Sequence, residues 1–247
     1  MCGRFTYLFT WKQIHEHLQH FIDLIDLPSG DPAAAYPARY NIAPTQPILA
    51  IRPTPKGALA GLYRWGLMPL WVKDPRDFPT LFNARIETVT EKPAFRGSIK
   101  SLRAIIPASG YYEWLTGPDG KKQPYYVTLE DGLPMYFAGL YATWQGPQGE
   151  EIDSATIITQ AATGDLAGLH DRTPAVLRPN QLKPWLDTAK TDPKRALAQI
   201  EPLERLKVTI TPVDRRVGST RNDDPGLIEE QGPPFSPPSR GKRDQQG

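Results

Sequence analysis

The chain contains a single cysteine, Cys2, in 247 residues. One thiol cannot form an internal disulfide, and it argues against a structural zinc site, which takes several cysteine and histidine ligands. His15, His17 and His20 do not supply such a site, because helical offsets of two and five residues do not place three side chains on one face. We therefore expect no metal, no cofactor and a reducing compartment such as the cytosol.

Long apolar runs, phosphate-binding loops and a strong net charge are also missing. No stretch of about 18 apolar residues could span a membrane, and no early apolar run resembles a signal peptide. No glycine-rich phosphate loop or dinucleotide fingerprint occurs. The formal net charge is only +2, which neither demands nor excludes a nucleic-acid partner. We expect a soluble cytoplasmic monomer without a membrane partner, associated with the nucleoid if the source is bacterial.

Many short apolar runs, separated by turn residues, predict a β-rich fold. The predicted strands are Ile48–Arg52, Leu59–Trp65, Ala104–Ile106, Tyr111–Leu115, Tyr125–Leu129, Met135–Tyr141, Ala155–Thr159 and Lys207–Pro212. Residues 10–26 predict an amphipathic helix with Thr10 as its N-cap, and residues 193–200 predict a second, short helix. Strands and helices do not alternate regularly, so we predict an α+β fold with a mixed or antiparallel sheet, or a barrel-like β core, flanked by a few helices.

The composition changes near the C-terminus. From about Gly232 the residues are mostly Pro, Ser, Gly, Arg and Lys, with almost no apolar side chains. Such a segment cannot bury enough apolar surface to fold. We therefore predict one domain over residues 1–231 and a disordered basic tail over residues 232–247.

The position of Cys2, directly after Met1, has a chemical consequence. Removal of Met1 would leave an α-amine and a thiol on adjacent carbons. Such a 1,2-aminothiol condenses with an aldehyde to an imine, and its thiol then closes onto the same carbon as a thiazolidine ring. An α-amine has a pKa of about 7.7–8.0, whereas a lysine at about 10.4 would need strong depression to match it. The N-terminus therefore points to aldehyde or acyl chemistry.

A basic stretch lies in the middle of the chain. Five basic residues oppose two acidic ones there; the basic residues are Arg85, Lys92, Arg96, Lys100 and Arg103. Such a stretch could follow a phosphate backbone. A solvated charged face is an equally good interpretation.

Several short motifs, which are weak singly, form a specific combination in this order. They are Cys2-Gly3-Arg4, Asn83-Ala84-Arg85-Ile86-Glu87-Thr88, Tyr112-Glu113-Trp114 and His170-Asp171-Arg172. Together they resemble the SRAP family, the SOS response-associated peptidase family of abasic-site processing proteins. The resemblance runs from Cys2 to about Pro225.

The resemblance implies a function and a partner. It implies binding to single-stranded DNA, or to its junction with duplex, and capture of the ring-opened aldehyde of an abasic site by Cys2. The resulting covalent protein–DNA crosslink would shield the strand from cleavage. The family name also records a thiol autopeptidase activity that would expose Cys2.

Four residues are the predicted catalytic set: Cys2, Asn83, Glu113 and His170. Glu113 and His170 are the candidate acid/base pair. Because Tyr112 and Trp114 flank Glu113 in sequence, we expect its carboxyl to be partly desolvated and its pKa raised. Asn83 could hold the sugar or the thiazolidine. Without the resemblance, an ion-paired Glu113 and a structural His170 would be the simpler interpretations.

Three arginines are predicted to bind DNA. By resemblance, Arg85 binds phosphate near the lesion, and Arg4 and Arg172 could bind neighbouring phosphates. For Arg172, a structural ion pair with Asp171 or Glu87 is an equal alternative.

Two further residues complete the predicted DNA-binding set. Asn41 could brace the site through hydrogen bonds to the backbone, or it could simply form a turn. Trp71 could stack on bases beside the lesion, an interaction worth about 1–3 kcal/mol. The alternative for Trp71 is ordinary core packing.

Two other functions remain open. An N-terminal-cysteine thiol peptidase or hydrolase would use the Cys2 α-amine as its base and would act without DNA. A non-enzymatic single-strand binding module would show salt-sensitive binding that is indifferent to the lesion.

Overall fold

A computed structural model describes residues 2–28, 30–117, 120–232 and 235–236. The β-strands are β1 Phe5–Tyr7, β2 Arg39–Ile42, β3 Pro47–Thr54, β4 Gly57–Trp65, β5 Asn83–Arg85, β6 Arg103–Ala108, β7 Gly110–Thr116, β8 Lys122–Leu129, β9 Met135–Gln145, β10 Glu151–Ala161, β11 Arg172–Pro174, β12 Val176–Leu177 and β13 Val208–Pro212. The α-helices are α1 Trp11–Leu18, α2 Ser98–Ser101, α3 Leu166–Leu169, α4 Pro179–Leu186 and α5 Pro193–Ala198. Short 3-10 helices span Leu203–Leu206, Arg215–Gly218 and Pro225–Ile228.

Five strands form a closed barrel. Strands β4, β3, β6, β9 and β10 pair antiparallel in that order, and β10 closes the barrel by pairing parallel with β4. A second, antiparallel sheet has the order β13-β8-β7-β1-β2. The predicted α+β fold with a barrel-like β core is confirmed.

Aromatic packing fastens the N-terminal strand to the barrel. Phe5 of β1 meets Trp65 of β4 edge-on, with ring centroids 5.0 Å apart. It also meets Phe137 of β9 edge-on at 5.8 Å. All three side chains are buried, and such pairs contribute about 0.5–1.5 kcal/mol beyond their buried area. The strand that follows Cys2 is therefore held firmly in the core.

The eight predicted strands all fall on observed strands, with boundaries that differ by a few residues. The helix predicted over residues 193–200 is α5. Sequence reasoning did not find β1, β2, β5, β11 or β12, because two to four residues carry too little periodicity to stand out. It also missed α4, which contains Pro184 and begins at Pro179.

The helix predicted over residues 10–26 begins as expected but ends early. Thr10 is its N-cap, since the Thr10 side chain accepts from the Gln13 backbone N–H and the Gln13 side chain accepts from the Thr10 N–H. The helix itself spans only Trp11–Leu18. No helix in the described part of the chain is long and apolar enough to cross a membrane.

A tertiary contact replaces the missing helical turns. Ala58 donates its backbone N–H to the Asp23 carbonyl at 2.6 Å, and the Ile25 N–H donates to the Ala58 carbonyl at 2.8 Å. The approach requires Gly57, whose φ is 138° and where an added Cβ would lie 2.7 Å from the Asp23 carbonyl oxygen. Pairing with the start of β4 therefore overrides the helical periodicity of residues 19–26.

The predicted tail lies mostly outside the described residues, which include none of 233, 234 and 237–247. Phe235 is described, and its ring packs edge-on against Tyr125 of β8 with centroids 5.3 Å apart. The chain is thus in contact with the second sheet at residue 235.

Candidate active site and DNA-binding groove

The pairing of β1 with β7 brings Cys2 beside Glu113. Phe5 lies opposite Tyr111 in an antiparallel register, and the Tyr112 N–H donates to the Arg4 carbonyl at 3.0 Å. Continued in the same register, the residues before Arg4 run along the second half of β7. The charge of Glu113 accordingly acts on the Cys2 thiol.

Cys2 is completely buried in the folded chain. Burial raises the pKa of its thiol well above the ordinary value, and the nearby Glu113 carboxylate raises that pKa further. A buried thiol in apolar surroundings is held in its protonated form. This environment therefore suits a sulfur that reacts after a first bond has formed, rather than one that attacks first as a thiolate.

Asn83 fixes the backbone of Cys2. It begins β5, which pairs parallel with β10 so that Asn83 lies opposite Ile157. Its Nδ2 donates to the Cys2 carbonyl oxygen at 2.9 Å. Its Oδ1 is buried and has no hydrogen-bond partner among the described residues. The Asn83 side chain thus orients the backbone of Cys2 through its Nδ2 and offers its Oδ1 as a hydrogen-bond acceptor close to Cys2.

Glu113 is desolvated, although its sequence neighbours are not the cause. Alternate residues of a strand point to opposite faces, so Tyr112 and Trp114 turn away and pack on each other at 6.5 Å. Tyr111 shares the face of Glu113 and belongs to the same buried cluster as Cys2. The expectation that Tyr112 and Trp114 desolvate Glu113 was therefore wrong in its reason.

Burial raises the pKa of Glu113 to about 7, and the negative charge of Asp171 contributes to the rise. Glu113 as a whole residue is only 4% exposed. A group with this pKa both gives and takes protons near neutrality, as general acid–base catalysis requires.

His170 lies on the neighbouring helix end. Helix α3 packs against β7 and ends at His170, whose backbone N–H donates to the Leu166 carbonyl. The His170 Nδ1 accepts the Arg172 backbone N–H at 3.0 Å and lies 2.7 Å from a carboxylate oxygen of Asp171. Burial lowers the pKa of His170, which favours a neutral ring. We call the set Cys2, Asn83, Glu113 and His170 the reaction pocket.

A family profile described as "SOS response associated peptidase (SRAP)" matches residues 1–220. The chain belongs to the SRAP family. The Abasic site processing protein YoqW of Bacillus subtilis (strain 168) is 38% identical over 229 residues, which cover 93% of this chain and 99% of that protein. The Abasic site processing protein YedK of Escherichia coli (strain K12) is 32% identical over 232 residues, again 93% and 99%.

Solved structures share the fold. A protein from Bacteroides thetaiotaomicron superposes with a TM-score of 0.76 at 23% identity, covering 92% of this chain and 99% of that chain. A phage-related protein from Bordetella bronchiseptica superposes with a TM-score of 0.65 at 27% identity, covering 87% and 95%. The barrel and its second sheet are thus the architecture of this SRAP domain.

Arg4 of the SRAP domain is bonded to the protein itself. Its guanidinium donates to Asn41 Oδ1 at 2.8 Å, to the Val217 carbonyl at 2.7 Å and to the Gly218 carbonyl at 3.1 Å. These bonds tie the N-terminal segment to the 3-10 helix Arg215–Gly218. Any phosphate contact by Arg4 would have to add to, or replace, this network.

Asn41 is completely buried. Its Nδ2 lies within hydrogen-bond distance of the Val217, Ser219 and Asn222 carbonyls, at 3.1, 2.9 and 2.8 Å. The assignment of Asn41 to the DNA-binding set therefore needs correction, because no surface of the side chain is accessible. The geometry matches the predicted bracing through backbone hydrogen bonds, in which Asn41 holds the segment after Val217 against the N-terminal strands.

Arg172 also differs from the DNA-contact prediction. Its guanidinium pairs with both carboxylate oxygens of Glu87, at 2.7 and 2.9 Å, and donates to the Thr159 carbonyl at 2.6 Å. The residue is only 8% exposed. The ion pair with Glu87, left open as an alternative, is the observed arrangement, because a bidentate pair gives both terminal nitrogens of the buried guanidinium a charged partner.

Arg85 and Trp71 lie on the surface. Arg85 ends β5, two residues beyond Asn83, and its side chain is exposed. Trp71 is 58% exposed, and its only described ring partner is Phe78, edge-on at 5.6 Å. Core packing of Trp71 is therefore wrong, and more than half of the side chain is open to a ligand.

A groove beside Trp71 contains two cations that were not among the predicted DNA-binding residues. Its volume is about 500 Å³, and it is lined by Trp71, Pro93, Arg96, Gly97 and Lys100. Arg96 and Lys100 are exposed and form no ion pair with any residue in the described ranges. We call this the Trp71 groove. The signal in the sequence was the basic stretch between residues 85 and 103.

One member of the basic stretch does not reach this surface. Arg103 is completely buried, donates to the Thr191 carbonyl at 2.6 Å and lies over the ring of Trp185 at 5.4 Å. The stretch is thus divided between a structural arginine and exposed cations, a distinction that charge counting does not make.

Proposed function

We propose that the protein, once Met1 is removed, captures abasic sites in single-stranded DNA through Cys2 and so shields the damaged strand from cleavage. Similar proteins in Bacillus subtilis and Escherichia coli carry the name abasic site processing protein. The observation that carries the proposal is the placement of Cys2 beside a buried carboxyl whose pKa is about 7.

The first bond joins nitrogen to carbon. The neutral α-amine of Cys2 attacks the aldehyde carbon of the ring-opened deoxyribose, and the carbonyl π electrons move to oxygen. That oxygen gains a proton and the new ammonium loses one, which gives a carbinolamine. An α-amine with a pKa of about 7.7–8.0 supplies the neutral nucleophile near pH 7 without further tuning.

The second stage forms and closes the ring. A protonated Glu113 donates a proton to the carbinolamine hydroxyl, and water leaves as the nitrogen lone pair forms the iminium, while the neutral His170 ring serves as a hydrogen-bond partner of the departing water. The Cys2 sulfur then adds to the iminium carbon, and its proton passes to the carboxylate of Glu113. The net change is loss of one water and formation of a thiazolidine, with the acid restored.

Ring closure explains how the strand would be protected. An iminium at the sugar acidifies the neighbouring C–H and promotes β-elimination of the phosphate on the 3′ side. Addition of the Cys2 sulfur removes that iminium, so the driving force for strand cleavage is lost. Asn83 would assist, because its Nδ2 fixes the Cys2 carbonyl and its buried Oδ1 is available to accept an N–H of the adduct.

The Trp71 groove would bind the DNA on one side of the lesion. Trp71 offers an exposed ring on which a base can stack, and Arg96 and Lys100 lie where phosphates would follow. Arg85 would contact phosphate close to Asn83. Stacking on an open ring requires a base that is not paired and stacked in a duplex, which favours single-stranded DNA. Since one chain supplies all these groups, a monomer suffices.

The hydrolase alternative is less well supported by the site. A thiol peptidase needs a thiolate, which forms where the cysteine pKa is depressed. Here burial and Glu113 raise the pKa of the Cys2 thiol. A peptidase acting in trans would turn over peptide substrates without DNA, and a plain binding module would hold intact and abasic strands equally. Neither behaviour is expected.

A gel assay tests covalent capture. An oligonucleotide with one uracil, treated with uracil glycosylase, should give a heat-stable shifted band with the wild-type protein. Cys2→Ala should give no such band, and neither should a protein with extra residues before Cys2. The untreated uracil oligonucleotide is the matched control. An equally strong heat-stable band from Cys2→Ala would sink the proposal.

A further inference from the structure

A second groove lies away from the reaction pocket. It has a volume of about 600 Å³ and is formed where the end of β8, the start of β9, β12 and the 3-10 helix Leu203–Leu206 meet. Along β8, Leu129 in this groove is four residues from Tyr125, the partner of Glu113, a distance of about 13 Å. We call it the distal groove. It shares no lining residue with the reaction pocket or the Trp71 groove.

The floor of the distal groove is mostly aliphatic. Leu129, Pro134, Val176 and Leu177 line it, and Leu133 at its mouth is 47% exposed. Exposed large apolar side chains grouped with a concave surface mark interaction sites more often than scattered ones do. The other large exposed apolar side chains in the described part of the chain are Leu70 and Trp71, of which Trp71 lines the Trp71 groove.

The rim of the distal groove is positively charged. Arg205 and Lys207 are exposed, and neither forms an ion pair with a residue in the described part of the chain. Arg178 is already paired with Glu201 at 2.7 Å. The acidic residue on the rim, Asp131, uses one carboxylate oxygen to accept the Leu133 backbone N–H at 3.0 Å. Two unpaired cations therefore flank an apolar floor.

An adjoining groove extends this surface. Its volume is about 570 Å³, and it shares Phe21, Pro179 and Asn180 with the distal groove. It adds the exposed Arg195, which has no ion-pair partner in the described ranges. Together the two grooves form one continuous surface, on which the charged side chains without an ion-pair partner in the described ranges are three cations, Arg195, Arg205 and Lys207, and one anion, Asp131.

Nucleic acid fits this surface less well than the Trp71 groove. Single strands bind by stacking bases on exposed aromatic rings, whereas the distal floor is mostly aliphatic and its half-buried Phe21 ring already packs edge-on against His17 and His20. Its Tyr136 ring is only 2% exposed, and the Tyr136 hydroxyl lies 3.1 Å from His17 Nδ1. The chain's own tail fits poorly as well, because residues 237–247 contain three basic residues and one acidic residue, the same sign as the rim.

We propose that the distal groove binds an extended acidic segment of a partner protein. A large aliphatic or aromatic side chain of that segment would occupy the floor beside Leu133, and its carboxylates would pair with Arg205 and Lys207. Because this surface is separate from the reaction pocket, the partner can bind while the protein is crosslinked to DNA. The inference does not depend on the chemistry proposed for Cys2.

A peptide-binding measurement tests this inference on the full chain. The probe is a fluorescein-labelled peptide of sequence Gly-Glu-Asp-Leu-Phe-Glu-Asp-Gly, followed by anisotropy at low and moderate salt. Saturable binding is expected, with a loss of at least about tenfold in the variant carrying both Arg205→Glu and Lys207→Glu. Lys194→Glu, an exposed lysine outside both grooves, is the matched control and should bind as wild type does. Replacing Leu-Phe in the probe by Gly-Gly should abolish binding.

Several outcomes would overturn the inference. Affinity weaker than about 1 mM, or an equal loss with Lys194→Glu, would show that no specific site exists. Displacement of the peptide by oligothymidylate, sensitive to the same double substitution, would assign the groove to nucleic acid. A concentration-dependent dimer that Leu133→Asp removes would assign it to a second copy. Tighter peptide binding after truncation at residue 236 would assign it to the tail. An unchanged circular dichroism spectrum and thermal unfolding midpoint of the double variant confirm that it is folded.

Discussion

The reaction pocket and the Trp71 groove use polar groups in opposite ways. In the pocket, Cys2 and Glu113 are buried, and burial itself raises both pKa values. In the groove, Trp71, Arg96 and Lys100 are exposed to water. The pocket is therefore expected to control rate and pH dependence, whereas the groove controls affinity and salt dependence, because exposed charges are screened by ions.

The arginines show the same division. Arg4 and Arg172 belong to sequence motifs that suggest DNA contact. Both guanidinium groups nevertheless form hydrogen bonds with other residues of the protein. Arg85 and Arg96 are exposed. A cation in a buried network stabilises the fold, and only an unpaired exposed cation is free to neutralise a phosphate.

The largest effect is expected for Glu113→Gln. Loss of this acid and base should slow crosslinking by about 10²–10⁴-fold. In the wild type the fraction of protonated Glu113 decreases above pH 7, whereas the fraction of neutral α-amine increases toward pH 8. The crosslinking rate should therefore be highest between these two pH values. The substitution should remove the decline that Glu113 causes above pH 7. Single-turnover crosslinking across pH 5–9 measures this.

The exposed glutamate Glu91 provides the control for that experiment, and Glu91→Gln should leave the profile unchanged. If the Glu113→Gln protein kept the wild-type rate and pH profile, Glu113 would have no role in the reaction. The reaction pocket would then tolerate substitution as well as an exposed surface does.

Glu113 should also make stability depend on pH. Its folded pKa of about 7 lies above the ordinary 4.5, so the folded state holds a proton that the unfolded state releases. Stability is therefore expected to fall as pH rises from 4.5 to 7, by up to roughly 3 kcal/mol, and then to stay level. Glu113→Gln should gain stability relative to wild type across that window. Urea unfolding at pH 5 and pH 8 tests this, and an equal difference at both values would contradict it.

A smaller effect is expected for Trp71→Ala. Loss of one stacked base should weaken binding to single-stranded DNA by about 1–3 kcal/mol. Since Trp71 is exposed, thermal stability should not change, and crosslinking at saturating DNA should keep its rate. Trp71→Phe should retain part of the affinity. Fluorescence anisotropy with an intact oligonucleotide measures the affinity. If Trp71→Ala binds as tightly as the wild type, no base stacks on Trp71.

The smallest effects are expected for Arg96→Gln and Lys100→Gln. Each should reduce the slope of log affinity against log salt concentration by about 0.7, the value for one phosphate contact on a single strand. Lys56→Gln, which alters an exposed lysine in the β3–β4 turn, should leave the slope unchanged. If all three variants share one slope, the cations of the groove do not contact phosphate.

Much of this organisation could be predicted from local sequence. Alternating runs marked the longer strands, and the spacing of a few motifs identified the family. The part of the helix predicted over residues 19–26 is not formed, because the backbone of Asp23 and Ile25 pairs with Ala58 instead. The reason given for the environment of Glu113 failed because Tyr112 and Trp114 point to the other face of β7.

The sequence alone determined that a 1,2-aminothiol can form, since Cys2 directly follows Met1. It also determined the longer strands, because their periodicity is a local property of the sequence. Only the tertiary structure decided which polar groups are buried and which arginines are free. Arg4 meets Val217 and Asn83 meets Cys2 across long separations in the chain. Burial and hydrogen-bond partners come from residues that only folding brings together, and they set both pKa values and the availability of charge.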